Sequence, residues 1–213
     1  MSGPCLILTA MLGFGAVHSL LASPAAKSIV RDALGKQFTH GWYRVLYNGV
    51  AVASLLPAVV LVAALPDREL YRITPPFSAL AIIVQTIAGL GVLYSVYQID
   101  AMHFAGVKQW LGWLKGVDVL SESDTSASRL VVDGLHRYVR HPLYTTSLVG
   151  LWLVSPMTIN LLVLFSAVTL YFYVGSIFEE RKLVGEFGEA YREYQRQVPR
   201  LVPRIRSILT RSS

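Results

Sequence analysis

Long apolar runs without a charged side chain constrain this chain more than any other feature. Three of them, at residues 3–22, 45–65 and 77–99, contain no Lys, Arg, Asp or Glu. About 20 mostly apolar residues allow a helix to cross the hydrocarbon core of a membrane. Because the runs are continuous, they differ from the alternating pattern of an outer-membrane barrel. The sequence therefore predicts an all-α integral membrane protein, in keeping with 54% hydrophobic and 15% charged residues.

Two further apolar runs lie close together near the C-terminal end. The fourth extends from Leu143 to about Ser155 and the fifth from Asn160 to Phe178, with the short segment "SPMTIN" between them. This arrangement predicts a helical hairpin. Its first arm is roughly 20 Å of helix, so it is either short, or it begins a turn earlier and tilts. The whole pattern predicts about five transmembrane helices.

Positive charge is distributed unevenly between the connections. Of the 19 Lys and Arg residues, all but Arg68 and Arg72 lie in the first connection, the third connection or the C-terminal tail. The positive-inside rule places these three segments in the cytoplasm and the N-terminus outside. We therefore expect a membrane protein whose basic connections and C-terminal tail face the cytoplasm. The net charge of +6 then belongs to a membrane face, and no nucleic-acid partner is expected.

We expect one membrane domain over residues 1–213, built in three parts. Residues 1–99 hold the first three spans, 100–133 an interfacial helix and a cytoplasmic loop, and 134–203 the remaining elements. The apolar residues of the interfacial helix recur at helical spacing and are Phe104, Val107, Trp110, Leu111 and Leu114. Such a pattern is typical of an amphipathic helix at the headgroup level. The polar stretch 121–128 after it predicts a flexible link.

The stretch "RYVRHPLY", residues 137–144, places positive charge at the start of the fourth span. Pro142 suits the first turn of a helix, where its missing N–H is not needed. The free N–H groups of a helix N-terminus bind anions, and Arg137, Arg140 and His141 add positive charge. The stretch is therefore a candidate anion site. The alternative is a topology anchor that contacts phospholipid headgroups.

The hairpin returns the chain to the same membrane face at Glu179 and Glu180. We expect both acids at the C-terminal end of the fifth helix, where the helix dipole disfavours carboxylates. Compensation is expected from Arg137, Arg140 or Arg181, although a solvated turn with local ion pairs is the alternative. A zwitterionic ligand with an additional cation would fit a site that has both signs of charge.

The C-terminal tail contains aromatic residues at helical spacing. Phe187, Tyr191 and Tyr194 recur between Glu and Arg residues, and Pro199 and Pro203 follow them. This pattern predicts an amphipathic cap over the cytoplasmic face, with a peripheral anchor as the alternative.

The segments "GLHRYVRHPLYTT", "EERKL" and "FGEAYREYQRQVPR" occur in this order between Gly134 and Pro203. Together they resemble the superfamily of isoprenylcysteine carboxyl methyltransferases and phospholipid methyltransferases, which are membrane enzymes that use S-adenosylmethionine. Two earlier segments, "HSLLAS … YRVLYN" and "IDAMHFAGVKQW", are similar to the bacterial methanethiol S-methyltransferases. His136 and Thr146 depart from the pattern of many relatives, which affects the acceptor pocket more than the cofactor site.

The resemblance implies a set of site residues, some from the motif and some from the membrane helices. The predicted catalytic residues are Arg140 and Glu180. The predicted cofactor-binding residues are Tyr138, His141, Pro142, Tyr144, Glu179, Glu180, Gly89 and Gly91. For the two glycines, close helix packing is the alternative. No metal site is predicted, because the chain has one cysteine and its histidines lack ligand spacing.

The sequence thus supports an S-adenosylmethionine-dependent membrane methyltransferase as the first hypothesis. Its partners would be membrane lipids and a small hydrophobic or lipid-like acceptor with a thiol, carboxylate or amine, and its oligomeric state is left open. An NADPH-dependent reductase of the sterol-reductase type is the second hypothesis. A non-enzymatic subunit or transporter is the third. His18, inside the first span, is either functional or bonded to a neighbouring helix.

Overall fold

The computed structural model describes residues 2–116 and 130–204, and the chain is mostly helical there. The helices are α1 (Gly3–Ala22), α2 (Pro24–Leu34), α3 (Lys36–Ala64), α4 (Phe77–Gln98), α5 (Ala101–Ala105), α6 (Val107–Leu114), a 3₁₀ helix (Gly134–Arg137), α7 (Pro142–Trp152), α8 (Ile159–Phe187) and α9 (Glu189–Gln197). Two short strands, β1 (Glu69–Tyr71) and β2 (Met157–Thr158), pair antiparallel. The predicted link at 121–128 lies outside the described residues.

Within residues 2–116 and 130–204, four helices, α1, α3, α4 and α8, are long and apolar enough to cross a membrane. The bounds of α1 match the prediction, and α4 ends one residue before the predicted end. The fourth predicted span is α7, which has 11 residues. That is roughly 16 Å of helix, against about 30 Å of hydrocarbon core. Four of the five predicted spans are therefore confirmed as candidates, and the predicted orientation stays a prediction.

The chain divides into two compact units, each built from segments that are distant in sequence. The first unit comprises Met1–Arg68, Ile99–Arg129 and Ile159–Leu164, and the second comprises Glu69–Gln98, Leu130–Thr158 and Phe165–Ser213. In the first unit α1 packs along α3, and the Tyr47 hydroxyl lies 2.5 Å from His18 Nε2. For His18, the structure thus shows the second alternative, a hydrogen bond to a neighbouring helix.

The basic first connection is helical rather than a loop. The Ser23 side chain caps α2 by accepting a hydrogen bond from the Ala26 N–H at 3.1 Å. Gly35, with φ of +86°, then separates α2 from α3. Consequently α3 begins at Lys36, and the prediction that the second helix begins at Val45 was wrong. The first residues of α3 are partly polar, so hydrophobicity did not indicate that the helix begins there.

The predicted interfacial helix is two helices, because Gly106 interrupts it with φ of +84°. A Cβ at this position would lie 2.8 Å from the Val45 backbone nitrogen, so only glycine permits this close approach. Arg44 donates to the His103 carbonyl at 2.9 Å, and Trp42 packs edge-on against Trp110. Both short helices therefore lie along the N-terminal part of α3.

In the second unit α4 packs against α7, and most of α8 and all of α9 belong to the same unit. The Gln85 side chain donates to the Gly150 carbonyl at 3.1 Å. Tyr191, Tyr194 and Val198 form a buried cluster. Leu183, Val184, Phe187 and Leu130 pack against that cluster. The aromatic tail therefore forms a hydrophobic core of its own on the end of α8.

Candidate functional site

Helix α7 begins where the sequence predicted. Pro142 occupies the first turn, and His141 is the residue before it with φ of −122°. The preceding 3₁₀ helix, Gly134–Arg137, turns the chain into this position. Helix α8, by contrast, continues to Phe187, so Glu179 and Glu180 lie within the helix. The expectation that they occupy its C-terminal end was wrong, and direct ionic partners rather than the helix dipole determine their environment.

The Glu180 carboxylate is the centre of a buried ionic cluster, and its side chain is 3% exposed. Arg140 donates to its two oxygens at 2.8 and 3.1 Å, and Arg200 does so at 3.2 and 3.0 Å. His141 Nε2 donates at 3.1 Å and Gln195 at 2.9 Å. Two bidentate guanidinium pairs and two further donors thus satisfy both oxygens. Buried charge of this kind requires such complete pairing.

The C-terminal segment 198–201 lies directly against the Arg-His-Pro turn. The backbone N–H of Arg140 donates to the Pro199 carbonyl at 2.9 Å, and that of His141 donates to the Arg200 carbonyl at 3.1 Å. The Thr145 hydroxyl donates to the Leu201 carbonyl at 2.7 Å. These bonds place Arg200 beside Glu180, opposite Arg140.

Arg200 and Gln195 are site residues that sequence reasoning missed. Gln195 could have been found, because it lies four residues after Tyr191 and three before Val198, on the helix side that carries these buried residues. Arg200 follows Pro199, beyond the end of the helix, and no periodic signal marks it. Its position depends on the backbone bonds between the tail and the turn.

Glu179 has a different environment from its neighbour, because its side chain is 48% exposed. Its Oε2 accepts a hydrogen bond from the Tyr144 hydroxyl at 3.0 Å and lies 3.4 Å from His141 Nδ1. The Tyr144 ring stacks between the rings of His141 and Phe172, with centroids 5.3 and 4.6 Å away. His141 therefore bridges the two acids, one buried and one open to solvent.

The electrostatics of the turn favour a protonated His141. Burial alone would lower the pKa of His141, but hydrogen bonds to Glu179 and Glu180 and their charges outweigh it, so the pKa is raised above 6.5. For His136, burial and the charge of His141 lower the pKa. The bonds to Glu180 raise the pKa of Arg200 against the effect of its burial. The turn thus carries positive charge that the two acids balance.

Two cavities of about 280 Å³ each adjoin these residues. The first, called the charged cavity below, is bordered by the charged residues Glu180, Arg181 and Arg200 and also by Gln195, Ile177 and Val184. The second is apolar, and the residues around it include Leu135, Tyr138, Val139, Pro142, Thr145 and Thr146. The predicted residues Tyr138 and Pro142 therefore lie at the apolar cavity, whereas Arg140, His141, Tyr144, Glu179 and Glu180 meet in the cluster.

The two predicted glycines of α4 have different surroundings. A Cβ on Gly91 would lie 2.7 Å from the Thr146 Cγ2 atom, so this glycine is covered by α7. A Cβ on Gly89 would meet nothing within 4 Å among the described residues. Close packing, the alternative stated above, therefore describes Gly91 and not Gly89. Their predicted contact with a cofactor stays a prediction.

The fold and the site together define a class: a helical membrane protein in which an Arg-His-Pro turn and a helical pair of acids form one ionic cluster. The superfamily of integral-membrane methyltransferases, predicted above from the resemblance, is confirmed by the comparisons. The chain belongs to the family described as "Protein of unknown function (DUF1295)", whose sequence model matches residues 30–198.

Named relatives agree with this placement. The chain is 27% identical over 207 residues to Methanethiol S-methyltransferase 1 of Bradyrhizobium diazoefficiens, covering 94% of this chain and 67% of that protein. It is 34% identical over 115 residues to Methanethiol S-methyltransferase of Pseudomonas deceptionensis, covering 54% and 42%. It is 35% identical over 130 residues to Protein-S-isoprenylcysteine O-methyltransferase of Schizosaccharomyces pombe, covering 54% and 53%. The chain thus spans about two thirds of the first and about half or less of the others. No solved structure matches it significantly.

Proposed function

We propose that the protein is an S-adenosylmethionine-dependent membrane methyltransferase that acts on a small apolar thiol, with a carboxylate as the second acceptor class. The observation that carries this proposal is the ionic cluster, in which the turn before α7 meets Glu179 and Glu180 of α8. The relatives' names include both methanethiol and isoprenylcysteine as methyl acceptors, which supports a sulfur-containing or carboxylate acceptor.

The charges of the site fit the proposed donor. S-adenosylmethionine, when bound, supplies an electrophilic methyl group on a sulfonium and carries a carboxylate and an ammonium group. The half-exposed Glu179 is suited to hold the ammonium, with Tyr144 and His141 fixing the orientation of its carboxylate. The Arg200 side chain is 29% exposed beside the charged cavity and is suited to the carboxylate.

In this proposal the predicted catalytic pair, Arg140 and Glu180, has a positioning role. The Arg140 side chain is 9% exposed and also donates to the Gln195 carbonyl at 3.0 Å and to the Val198 carbonyl. Arg140 and Glu180 therefore bond to other protein groups, and these bonds hold the turn before α7, helix α8 and the tail together. In this proposal Glu179, Tyr144 and His141 contact the donor, while Tyr138 and Pro142 line the apolar cavity next to it.

The reaction needs positioning more than a general base. Transfer to a thiolate forms a sulfur–carbon bond as the sulfonium–methyl bond breaks, and the donor sulfur keeps that electron pair. The nucleophile is the thiolate, so the thiol proton goes to solvent before the transfer. His141, whose pKa is raised, acts as a hydrogen-bond donor rather than a base. The chain's contribution is alignment and the exclusion of water.

We also propose the five-span topology, with the site at the cytoplasmic side. Helix α7 is short for a span, but it leads to β2, which pairs with β1 in the connection after α3 and so supports a crossing to that side. The turn before α7 holds Arg137, Arg140 and His141 among the basic segments. The positive-inside rule supports a cytoplasmic position for those segments. A cofactor would then arrive from the cytoplasm and an apolar acceptor from the bilayer. A bacterial inner membrane fits the bacterial relatives.

Ligand binding by the purified protein in detergent tests the proposal. We expect calorimetry to detect S-adenosylhomocysteine but not NADPH, and Glu179→Gln to weaken that binding at least about tenfold, because a carboxylate–ammonium pair is lost. Glu186→Gln, an exposed acid on the same helix, is the matched control and should bind like the wild type. Binding of NADPH alone would support a reductase, and binding of neither ligand would contradict the proposal.

Product analysis tests the acceptor class. Methanethiol and S-adenosylmethionine, supplied to the wild-type protein in detergent, should yield dimethyl sulfide in the headspace. Methylation of a carboxylate substrate but no thiol would assign the second acceptor class.

A further inference from the structure

Thr146 of α7 occupies the space above Gly91 of α4. Its Cγ2 methyl lies where it would come within 2.7 Å of a Cβ on Gly91, so the two helices approach as closely as a glycine allows. The Thr146 hydroxyl donates to the Pro142 carbonyl at 2.8 Å, which fixes the side-chain rotamer. The methyl group therefore has a defined position between α4 and α7.

Thr146 also borders the apolar cavity of about 280 Å³. Leu135, Tyr138, Val139, Pro142 and Thr145 contribute to the same wall, and none of these side chains is charged. A cavity lined in this way favours an uncharged ligand, since a buried charge without a partner is costly. It therefore suits the acceptor better than the charged donor, and it begins at Pro142, next to the ionic cluster.

We propose that the apolar cavity holds the methyl acceptor and that the Thr146 methyl group sets the longest acceptor it admits. This inference rests on the proposed function and adds a limit on the chain length of the thiol acceptor. The cavity measures about 280 Å³. A thiol of a few carbons fits it, and a long prenyl chain does not. Without this methyl group, the space over the Gly91 backbone would be left unfilled next to the cavity.

Two substitutions separate the methyl group from the hydroxyl group of Thr146. Thr146→Ser removes Cγ2 and keeps the hydroxyl bond to Pro142, whereas Thr146→Val keeps a methyl at that position and removes the hydroxyl. The experiment measures kcat/KM for a series from methanethiol to 1-hexanethiol, by quantifying each thioether product. A pocket of fixed size discriminates roughly tenfold or more for each methylene that exceeds it.

We expect Thr146→Ser to raise the ratio of kcat/KM for 1-butanethiol over methanethiol by about tenfold. Thr146→Val should retain the wild-type ratio. The KM for S-adenosylmethionine should stay within about twofold of wild type in both variants, because the donor lies elsewhere. Thermal unfolding of both variants checks that each is folded.

The outcomes that overturn the inference are distinct from failure of the proposed function. If the wild type methylates thiols but Thr146→Ser leaves the chain-length profile unchanged, the inference alone is refuted. It is also refuted if both variants change the profile equally, or if only the KM for S-adenosylmethionine rises, which would assign the cavity to the donor. If the wild type methylates no thiol, the proposed function fails for that class, and the inference fails with it.

Discussion

Replacement of Glu180 by glutamine gives the sharpest test of how the site is held together. The substitution keeps the shape of the side chain but removes its charge and turns one acceptor oxygen into a donor. Arg140 and Arg200, which now donate to both oxygens, would face an N–H₂ group. Because the Arg140 side chain is 9% exposed, water cannot replace the lost counter-ion there.

The expected cost follows from this burial. Breaking a buried ion pair by removing one partner typically costs 3–5 kcal/mol. We expect about 3 kcal/mol for Glu180→Gln, at the lower end, because Arg200 is 29% exposed and can be hydrated. Glu179→Gln is the matched control, one residue away on the same helix. Its side chain is 48% exposed, so we expect a loss below about 1 kcal/mol.

Equilibrium unfolding in mixed detergent micelles measures both free energies, and thermal unfolding provides a second readout. The two variants should also differ in function: Glu179→Gln should lose affinity for S-adenosylhomocysteine while remaining stable. Equal stability losses for the two variants, or a Glu180→Gln variant as stable as the wild type, would refute the assignment of Glu180 as the centre of the cluster.

Three further predictions address the packing, the charge and the topology. Gly91→Ala should lower the free energy of unfolding by about 1–3 kcal/mol through its clash with Thr146, and adding Thr146→Gly should restore that stability. Gly89→Ala should leave stability unchanged or slightly raised. Equal effects at both glycines in denaturation curves would contradict this packing. The pKa of His141 is raised above 6.5, so its stabilising charge is fully present below pH 6.5 and is lost as the pH rises through the folded-state pKa. His141→Gln should therefore destabilise the protein most at low pH. A stability difference between wild type and variant that does not depend on pH would contradict this. A reporter at the C-terminus should be cytoplasmic and one inserted at residues 67–76 should be on the opposite side; a periplasmic C-terminus would overturn the orientation.

Hydrophobicity alone was sufficient to predict the position of several helices. Helix α1 coincides with its predicted run, and α4 nearly does, because a lipid-exposed helix must be apolar along its whole length. The same criterion failed for α3 and α8. Both continue beyond the apolar run into polar residues, where helix formation no longer depends on hydrophobicity.

The motif residues were predictable as a group but not in their individual roles. The sequence indicated by itself that the turn at Pro142 and the acids at Glu179 and Glu180 return to one membrane face. It also indicated the superfamily, since residue types and their order are enough for a resemblance. Which arginine neutralises the acids was not predictable, because Arg200 reaches Glu180 through backbone bonds between distant segments.

Tertiary structure alone distinguished the two neighbouring acids. Adjacent residues on a helix point about 100° apart, so Glu180 is directed into the donors of the turn and the tail while Glu179 is directed toward solvent and Tyr144. The contact between Thr146 and Gly91 is likewise a property of two packed helices. The sequence by itself determined which ionisable groups the chain offers to the cluster. The packing of α4, α7, α8 and the tail decided which of them are buried in ion pairs and which are open to solvent, because burial depends on what surrounds a side chain.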